Sequence, residues 1–277
     1  MIPAHGGACI DGIVPALLDG GRERAWIPEA ARQARQVVLL VLDGLGWEQL
    51  QARRHLAPTL AGAAGGPITS VAPTTTATAL TSITTGLPPA THGVTGYRVH
   101  VGDGAVMNVL RWETEAGDAR EAVPSELFQH HPAFLGKGCT SVIRAEFRHT
   151  GFTAAHQRGA HLRGWRVPST LVVEVADALR SGDPFVYAYY DGVDRVAHQF
   201  GMGEHYDAEL RAADRLVADL AEVLPPGAVL LVTADHGQVD VGQAVVTLDQ
   251  DLADLTVLLS GEGRFRWLHA RPGAQDR

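Results

Sequence analysis

Cysteine is scarce in this chain. Cys9 and Cys139 are the only two among 277 residues, too few for a disulfide framework or a cysteine-rich zinc site. An excess of positive charge is also missing. The formal net charge is −8, which argues against a general binder of nucleic acid or of anionic membrane. No run approaches the roughly 18 consecutive apolar residues of a membrane span. The opening stretch, MIPAHGGACIDGIVPALL, lacks the basic-then-apolar pattern of a signal peptide. These absences lead us to expect a cytoplasmic protein with no membrane association and no stable nucleic-acid partner. They leave an anionic substrate open, because bound cations reverse the field inside an acidic pocket.

Apolar residues, in contrast, are plentiful. They make up 45% of the chain, enough to exclude disorder and to build one large core. Three short continuous runs, VVLLVLDG at 37–44, PFVYAYYDGVD at 184–194 and AVLLVTADHG at 228–237, have the pattern of strands covered on both faces. Helical segments are expected at about 47–56, at 76–86 with Gly86 as its stop, at 169–182 between a Ser169 cap and Gly182, and at 205–224 before Pro225-Pro226-Gly227. Alternation of buried strands with helices predicts an α/β fold, a three-layer α/β/α sandwich with a mainly parallel central sheet. Hairpins are expected at 97–112, around Asp103-Gly104, and at 256–270, around Gly261 and Gly263. We read residues 1–277 as a single domain, with 97–168 as a cap or insertion that includes one strand at 139–145.

Parallel sheets gather the loops at their carboxyl ends around a common crevice. Asp43, Asp194 and Asp235 fall at or just after such ends. A lone aspartate there is ordinarily a turn or cap residue. Three together would repel one another or protonate unless a cation joins them. Asp194 and His198 are four residues apart, so one helical turn directs both to the same ion. Asp235 and His236 are adjacent and can serve two ions or two sides of one. Mixed Asp/His ligation suits zinc or manganese better than calcium, and a pair of such ions supports hydrolytic displacement. Thr74, Thr75 and Thr76 offer hydroxyls beside a helix N-terminus that favours a phosphate anion.

Four segments now stand in order over about 200 residues: VVLLVLDGLG at 37–46, PTTTATALTSITTGLPPATHGVTGY at 73–97, DGVDRVAHQFG at 191–201 and VTADHGQVD at 232–240. Together they resemble the alkaline phosphatase superfamily, especially its nucleotide pyrophosphatase/phosphodiesterase branch. The resemblance implies a phosphoric-ester hydrolase acting on a small phosphate ester or nucleotide-like substrate through a covalent phosphothreonine at Thr76. It implies two zinc ions, one held by Asp43, Thr76, Asp235 and His236 and the other by Asp194 and His198. A sulfatase is disfavoured, because no Cys-x-Pro-x-Arg segment occurs.

Two departures shape the expectation. Tyr97 occupies the position where the branch commonly places a phosphate-binding asparagine. The late His-Gly segment that completes the Asp194/His198 site in the family has no counterpart, and His269 is the only later histidine. The resemblance therefore also leads us to expect a chain incomplete at its C-terminus. It admits two alternatives, a noncatalytic or weakly active metal- and phosphate-binding member, and a phosphomonoesterase of the same superfamily.

Overall fold

The computed structural model describes residues 2–19 and 25–274. Residues 1, 20–24 and 275–277 of the expected single domain lie outside that description. In chain order the strands are β1 (Gln36–Leu42), β2 (Arg98–His100), β3 (Val106–Asn108), β4 (Glu113–Thr114), β5 (Gly117–Asp118), β6 (Thr140–Arg144), β7 (His161–Trp165), β8 (Phe185–Tyr190), β9 (Ala228–Thr233), β10 (Thr256–Gly261) and β11 (Arg266–Ala270). The central sheet has the order β7-β6-β8-β1-β9, and every neighbouring pair in it is parallel.

Strand β1 is an interior strand of the sheet, flanked by β8 and β9, and both of its faces are apolar. Val37, Leu39 and Val41, with Phe185, Tyr187 and Tyr189 of β8, pack on one side against the helix Thr76–Thr85 and the N-terminal segment. Val38, Leu40 and Leu42, with Val186, Ala188 and Tyr190, pack on the other side against the helices Pro168–Arg180 and Glu204–Glu222. Each face therefore carries a helical layer, as the continuous apolar runs predict.

The helix Thr76–Thr85 forms despite its many β-branched residues because nearly all of it is buried. Its hydroxyls are satisfied locally: Thr81 donates to the Ala77 carbonyl at 2.7 Å, Thr84 to Leu80 at 2.9 Å and Thr85 to Thr81 at 2.6 Å. Gly86, in the left-handed region at φ 71°, ends it. The later helix starts differently from the expectation at Ser169. Pro168 takes the first turn and Val167 becomes the N-cap, since proline fits that first position. The Thr170 hydroxyl accepts from the Arg166 and Val167 amides at 2.9 and 3.2 Å.

Residues 97–168, expected as one cap, are divided between two sheets. The Asp103-Gly104 turn closes the β2–β3 hairpin, with Val99 opposite Met107. That hairpin continues through β4 and β5 and joins the terminal β10–β11 hairpin in an antiparallel sheet of order β11-β10-β2-β3-β4-β5. Strands β6 and β7 instead complete the central sheet. The sequence HLRGW of β7 is half polar because β7 is an edge strand with an exposed residue, and so its pattern gives no buried-strand signal.

Candidate active site

The adjacent strands β8, β1 and β9 deliver three acidic loops to one end of the sheet. Asp43 follows β1 directly and its amide donates to the Tyr190 carbonyl of β8 at 2.9 Å. Asp235 lies two residues beyond β9, fully buried, and Asp194 lies in the first turn of the helix Gly192–Phe200 after β8. Across from them, Thr76 opens the helix Thr76–Thr85. Of the three consecutive threonines, Thr74 turns back to donate to the Val71 carbonyl at 2.6 Å and Thr75 is the N-cap. Thr76 alone meets the acidic cluster, its Oγ1 3.0 Å from His236 Nε2.

His236 Nε2 is the point on which the site converges. It stands 3.2 Å from Asp43 Oδ1, 3.6 Å from Asp235 Oδ2 and 3.9 Å from Asp194 Oδ1. One ligand atom from each of Asp43, Asp194 and His236 lies within 4.8 Å of the others. Burial, and then the charge of Asp235, raises the Asp43 pKa well above the usual carboxylate range. Burial also raises that of Asp194. For His236 burial acts downward, yet Asp235, Asp43 and Asp194 together hold its pKa well above that of a free imidazole. His236 is thus the basic group that faces three acidic side chains.

Two carboxylate oxygens, Asp43 Oδ1 and Asp235 Oδ2, are buried and face only His236 Nε2, with no aligned hydrogen bond of their own. Such atoms are costly unless something binds them. The donor set of carboxylate oxygens, an imidazole nitrogen and a hydroxyl is the chemistry of a divalent-metal site, so these residues fit the metal the sequence implies. The other carboxylate oxygens are fixed in place. Tyr189 donates its hydroxyl to Asp43 Oδ2, while the Gly44 and His236 amides donate to Asp235 Oδ1 at 3.1 and 2.9 Å.

The second half of the site is looser. His198 Nε2 lies 3.4 Å from Asp194 Oδ1, as the four-residue spacing predicts, but its side chain is 73% exposed. Gln238 donates to the same Asp194 oxygen at 2.6 Å. His269 is engaged elsewhere, with its Nε2 2.9 Å from Ser260 Oγ and its ring 5.0 Å from that of His100. No metal-ligand group among the described residues includes it. The Tyr97 hydroxyl accepts from Asn108 Nδ2 at 2.6 Å, so the residue that departs from the branch pattern is tied to the antiparallel sheet.

Sequence reasoning missed three supporting residues. Tyr189 reads as strand core, and only the pairing of β8 with β1 brings its hydroxyl to Asp43. Gln238 stood two residues past His236, a position whose proximity could have marked it. Ser70 donates to the Asp235 carbonyl at 2.6 Å from a stretch with no motif. Gly44 matters through what it lacks. At φ 72°, a Cβ there would stand 2.7 Å from Gln238 Nε2 and 3.0 Å from Asp194 Cβ.

A cavity of about 420 Å³ opens beside the cluster, its lining including Asp43, Thr76 and Asp194 at one end and Phe147, Phe152 and His156. Arg144 pairs with buried Asp191 at 2.7 Å and stacks on Trp165.

Two structures of murine ectonucleotide pyrophosphatase/phosphodiesterase 5 share the fold. The inactive form in complex with AMP superposes with a TM-score of 0.55 at 14% identity, and the other with 0.53 at 16%. In both, the match covers 83% of this chain and 67% of the murine one. No curated protein sequence is significantly similar. Among the described residues no helix is long and apolar enough to cross a membrane. With three acidic strand ends converging on His236 beside Thr76, and with residues 37–276 matching its sequence profile, the chain belongs to the Type I phosphodiesterase / nucleotide pyrophosphatase family.

Proposed function

We propose that this protein is a metal-dependent phosphodiesterase or nucleotide pyrophosphatase that works through a phosphothreonine at Thr76. The observation that carries the reading is the place of Thr76. Its hydroxyl is the one threonine oxygen at the His236 cluster, and it opens a ten-residue helix whose N-cap side chain makes no capping bond. The first amides of that helix are free to bind phosphoryl oxygens, and the helix dipole favours their charge. Family membership and the AMP-bound murine relative support a nucleotide-like ester.

Asp43, Asp235 and His236, with Thr76, would hold one divalent cation, and Asp194 and His198 a second, with zinc or manganese as the metals suited to these donors. Bound there, the ions would supply Lewis-acid stabilisation of phosphoryl charge and a water of lowered pKa. The chain's own part is positioning. Tyr189 and the two amides on Asp235 aim the carboxylates, and the helix amides orient the phosphoryl group toward Thr76. The Thr76 oxygen forms a bond to phosphorus as the bond to the leaving oxygen breaks, and the leaving oxygen takes up a proton. Water then cleaves the phosphothreonine and returns the hydroxyl. The adjoining cavity, with Phe147 and Phe152 in its wall, would take the organic group of the substrate.

Replacement Thr76→Ala tests this. Hydrolysis of bis-p-nitrophenyl phosphate should fall by at least about 10³-fold while bound metal, measured by elemental analysis, is largely kept. Undiminished hydrolysis would sink the assigned nucleophile. Comparing that diester with p-nitrophenyl phosphate separates the diesterase reading from the phosphomonoesterase one.

One observation favours a second reading, a weakly active member. His198 is exposed and reaches Asp194 alone among the metal-ligating groups, so the second cation would be held loosely. Activity that climbs only at zinc well above stoichiometric, with one tightly retained ion, is the expected signature. Two tightly held ions at stoichiometric zinc would remove this reading.

A further inference from the structure

The geometry points to an additional metal site, formed by His5 Nδ1, Cys9 Sγ and the Asp11 carboxylate and selective for a thiophilic divalent cation of the zinc class, which fixes the N-terminal segment that runs beside Thr69 and Ser70. Three different ligand types come from seven consecutive positions, and one ligand atom from each lies within 4.8 Å of the others. His5 Nδ1 stands 2.5 Å from Asp11 Oδ2. Two of the three residues are deep. Cys9 has no exposed surface, and the Asp11 side chain is 6% exposed.

The bland alternative is a His5–Asp11 ion pair with a bystander thiol, and it leaves one atom unexplained. Asp11 Oδ1 is buried with no hydrogen-bond partner. An unpaired carboxylate oxygen in that setting costs free energy that a cation would relieve. A thiol beside a carboxylate offers only a weak S–H donor, whereas a metal binds both as anions. Sulfur, imidazole and carboxylate together suit zinc and exclude magnesium and calcium, which prefer all-oxygen shells. His5, with 40% of its side chain exposed, gives the ion an entry path and leaves the fourth position to solvent.

The place of the site in the fold explains what such a clip would do. Residues 8–10 run beside Thr69, with Thr69 N donating to the Ala8 carbonyl at 2.8 Å and Ile10 N to the Thr69 carbonyl at 3.0 Å. The Cys9 thiol points at the Ser70 carbonyl, 3.8 Å away. Ser70 in turn donates to the Asp235 carbonyl, and the same stretch leads into Thr76. A cation on residues 5–11 therefore fixes the segment against which Thr69 and Ser70 lie, and Ser70 in turn meets Asp235.

Cobalt distinguishes this site from the catalytic one, whose donors are oxygen and nitrogen only. Metal-depleted full-length protein titrated with Co²⁺ should develop the near-ultraviolet thiolate-to-cobalt charge-transfer band. The band should survive Cys139→Ser, vanish in Cys9→Ser, and be accompanied there by loss of one bound equivalent. His5→Ala, which alters an exposed side chain and leaves the core intact, should need at least tenfold more cobalt to reach the same band. Absence of the band in the wild-type protein at saturating cobalt, its persistence in Cys9→Ser, or an unshifted titration in a folded His5→Ala protein would each overturn the site.

Discussion

At the scale of single residues, His236 sets the chemistry of the candidate centre. Burial lowers its pKa, but Asp235, Asp43 and Asp194 outweigh burial and raise it well above the free value of 6.5. A proton on this ring and a metal ion would fill the same electrostatic role. A cation entering there must displace that proton, because imidazole ligates only when neutral at the ligating nitrogen. Metal binding should therefore release protons, and apparent affinity should rise by up to about tenfold per pH unit below the raised pKa. Calorimetric titration of zinc in buffers of different ionisation enthalpy measures this directly. A binding heat independent of buffer would contradict it. Gly44 supports the same centre by steric means. Gly44→Ala places a Cβ against Gln238 and Asp194 in a left-handed backbone, which costs about 1–2 kcal/mol from conformation alone. Displacing Asp194 by a fraction of an ångström to an ångström should lower kcat by about 10²-fold. Steady-state kinetics at saturating metal on the folded variant would decide this.

Elements show which parts of the molecule could be inferred from sequence and why. Strands β1 and β8 stand out as runs because both of their faces are buried, and the carboxyl ends of these two and of β9 carry the motifs. Leu40, fully buried in β1, illustrates how far the packing depends on such a strand. Leu40→Ala should destabilise the fold by about 2–5 kcal/mol, measurable by urea denaturation, whereas Val173→Ala on the exposed face of the helix Pro168–Arg180 should stay within about 0.5 kcal/mol. Strand β7 escaped notice because its half-polar pattern resembles a loop, and with it went the division of 97–168 between two sheets. The brackets of the active site were hidden for a related reason. Motif order placed Asp43, Thr76, Asp194, Asp235 and His236 in one crevice, and the fold brings them together. Tyr189 and Ser70 depend on strand pairing and on a loop crossing behind β9, neither of which local pattern encodes. His269 had only its identity to recommend it, and the terminal hairpin directs it to Ser260 instead.

For the molecule as a whole, the sharpest consequence lies in two buried histidines away from the acidic centre. His92, on the layer beside the helix Thr76–Thr85, accepts a hydrogen bond from the Val94 amide at Nδ1, 3.1 Å away, with Nε2 2.8 Å from the Ser82 hydroxyl. His156 places Nδ1 2.7 Å from the Phe152 carbonyl and Nε2 3.2 Å from the Gln157 side-chain Nε2. Each ring is satisfied as a neutral tautomer. Burial lowers the pKa of His92 to about 3 and that of His156 to about 4. Between those values and the 6.5 of the unfolded chain, the unfolded state binds more protons than the folded one. Stability is therefore fully present above about pH 6.5 and falls as the pH drops. By pH 5 each histidine should have cost about 2 kcal/mol, from 1.36 kcal/mol per unit over about 1.5 units. His236 titrates in the opposite sense, so the comparison is best made between wild type and variants at one metal loading, where its contribution cancels. Urea midpoints at about pH 7.5 and pH 5 should separate widely for the wild-type protein. The gap should narrow by about 2 kcal/mol in His92→Asn, which keeps an acceptor for the Val94 amide but has no proton to take up. An unchanged gap in that variant would place the acid sensitivity of the fold elsewhere, among the carboxylates around His236.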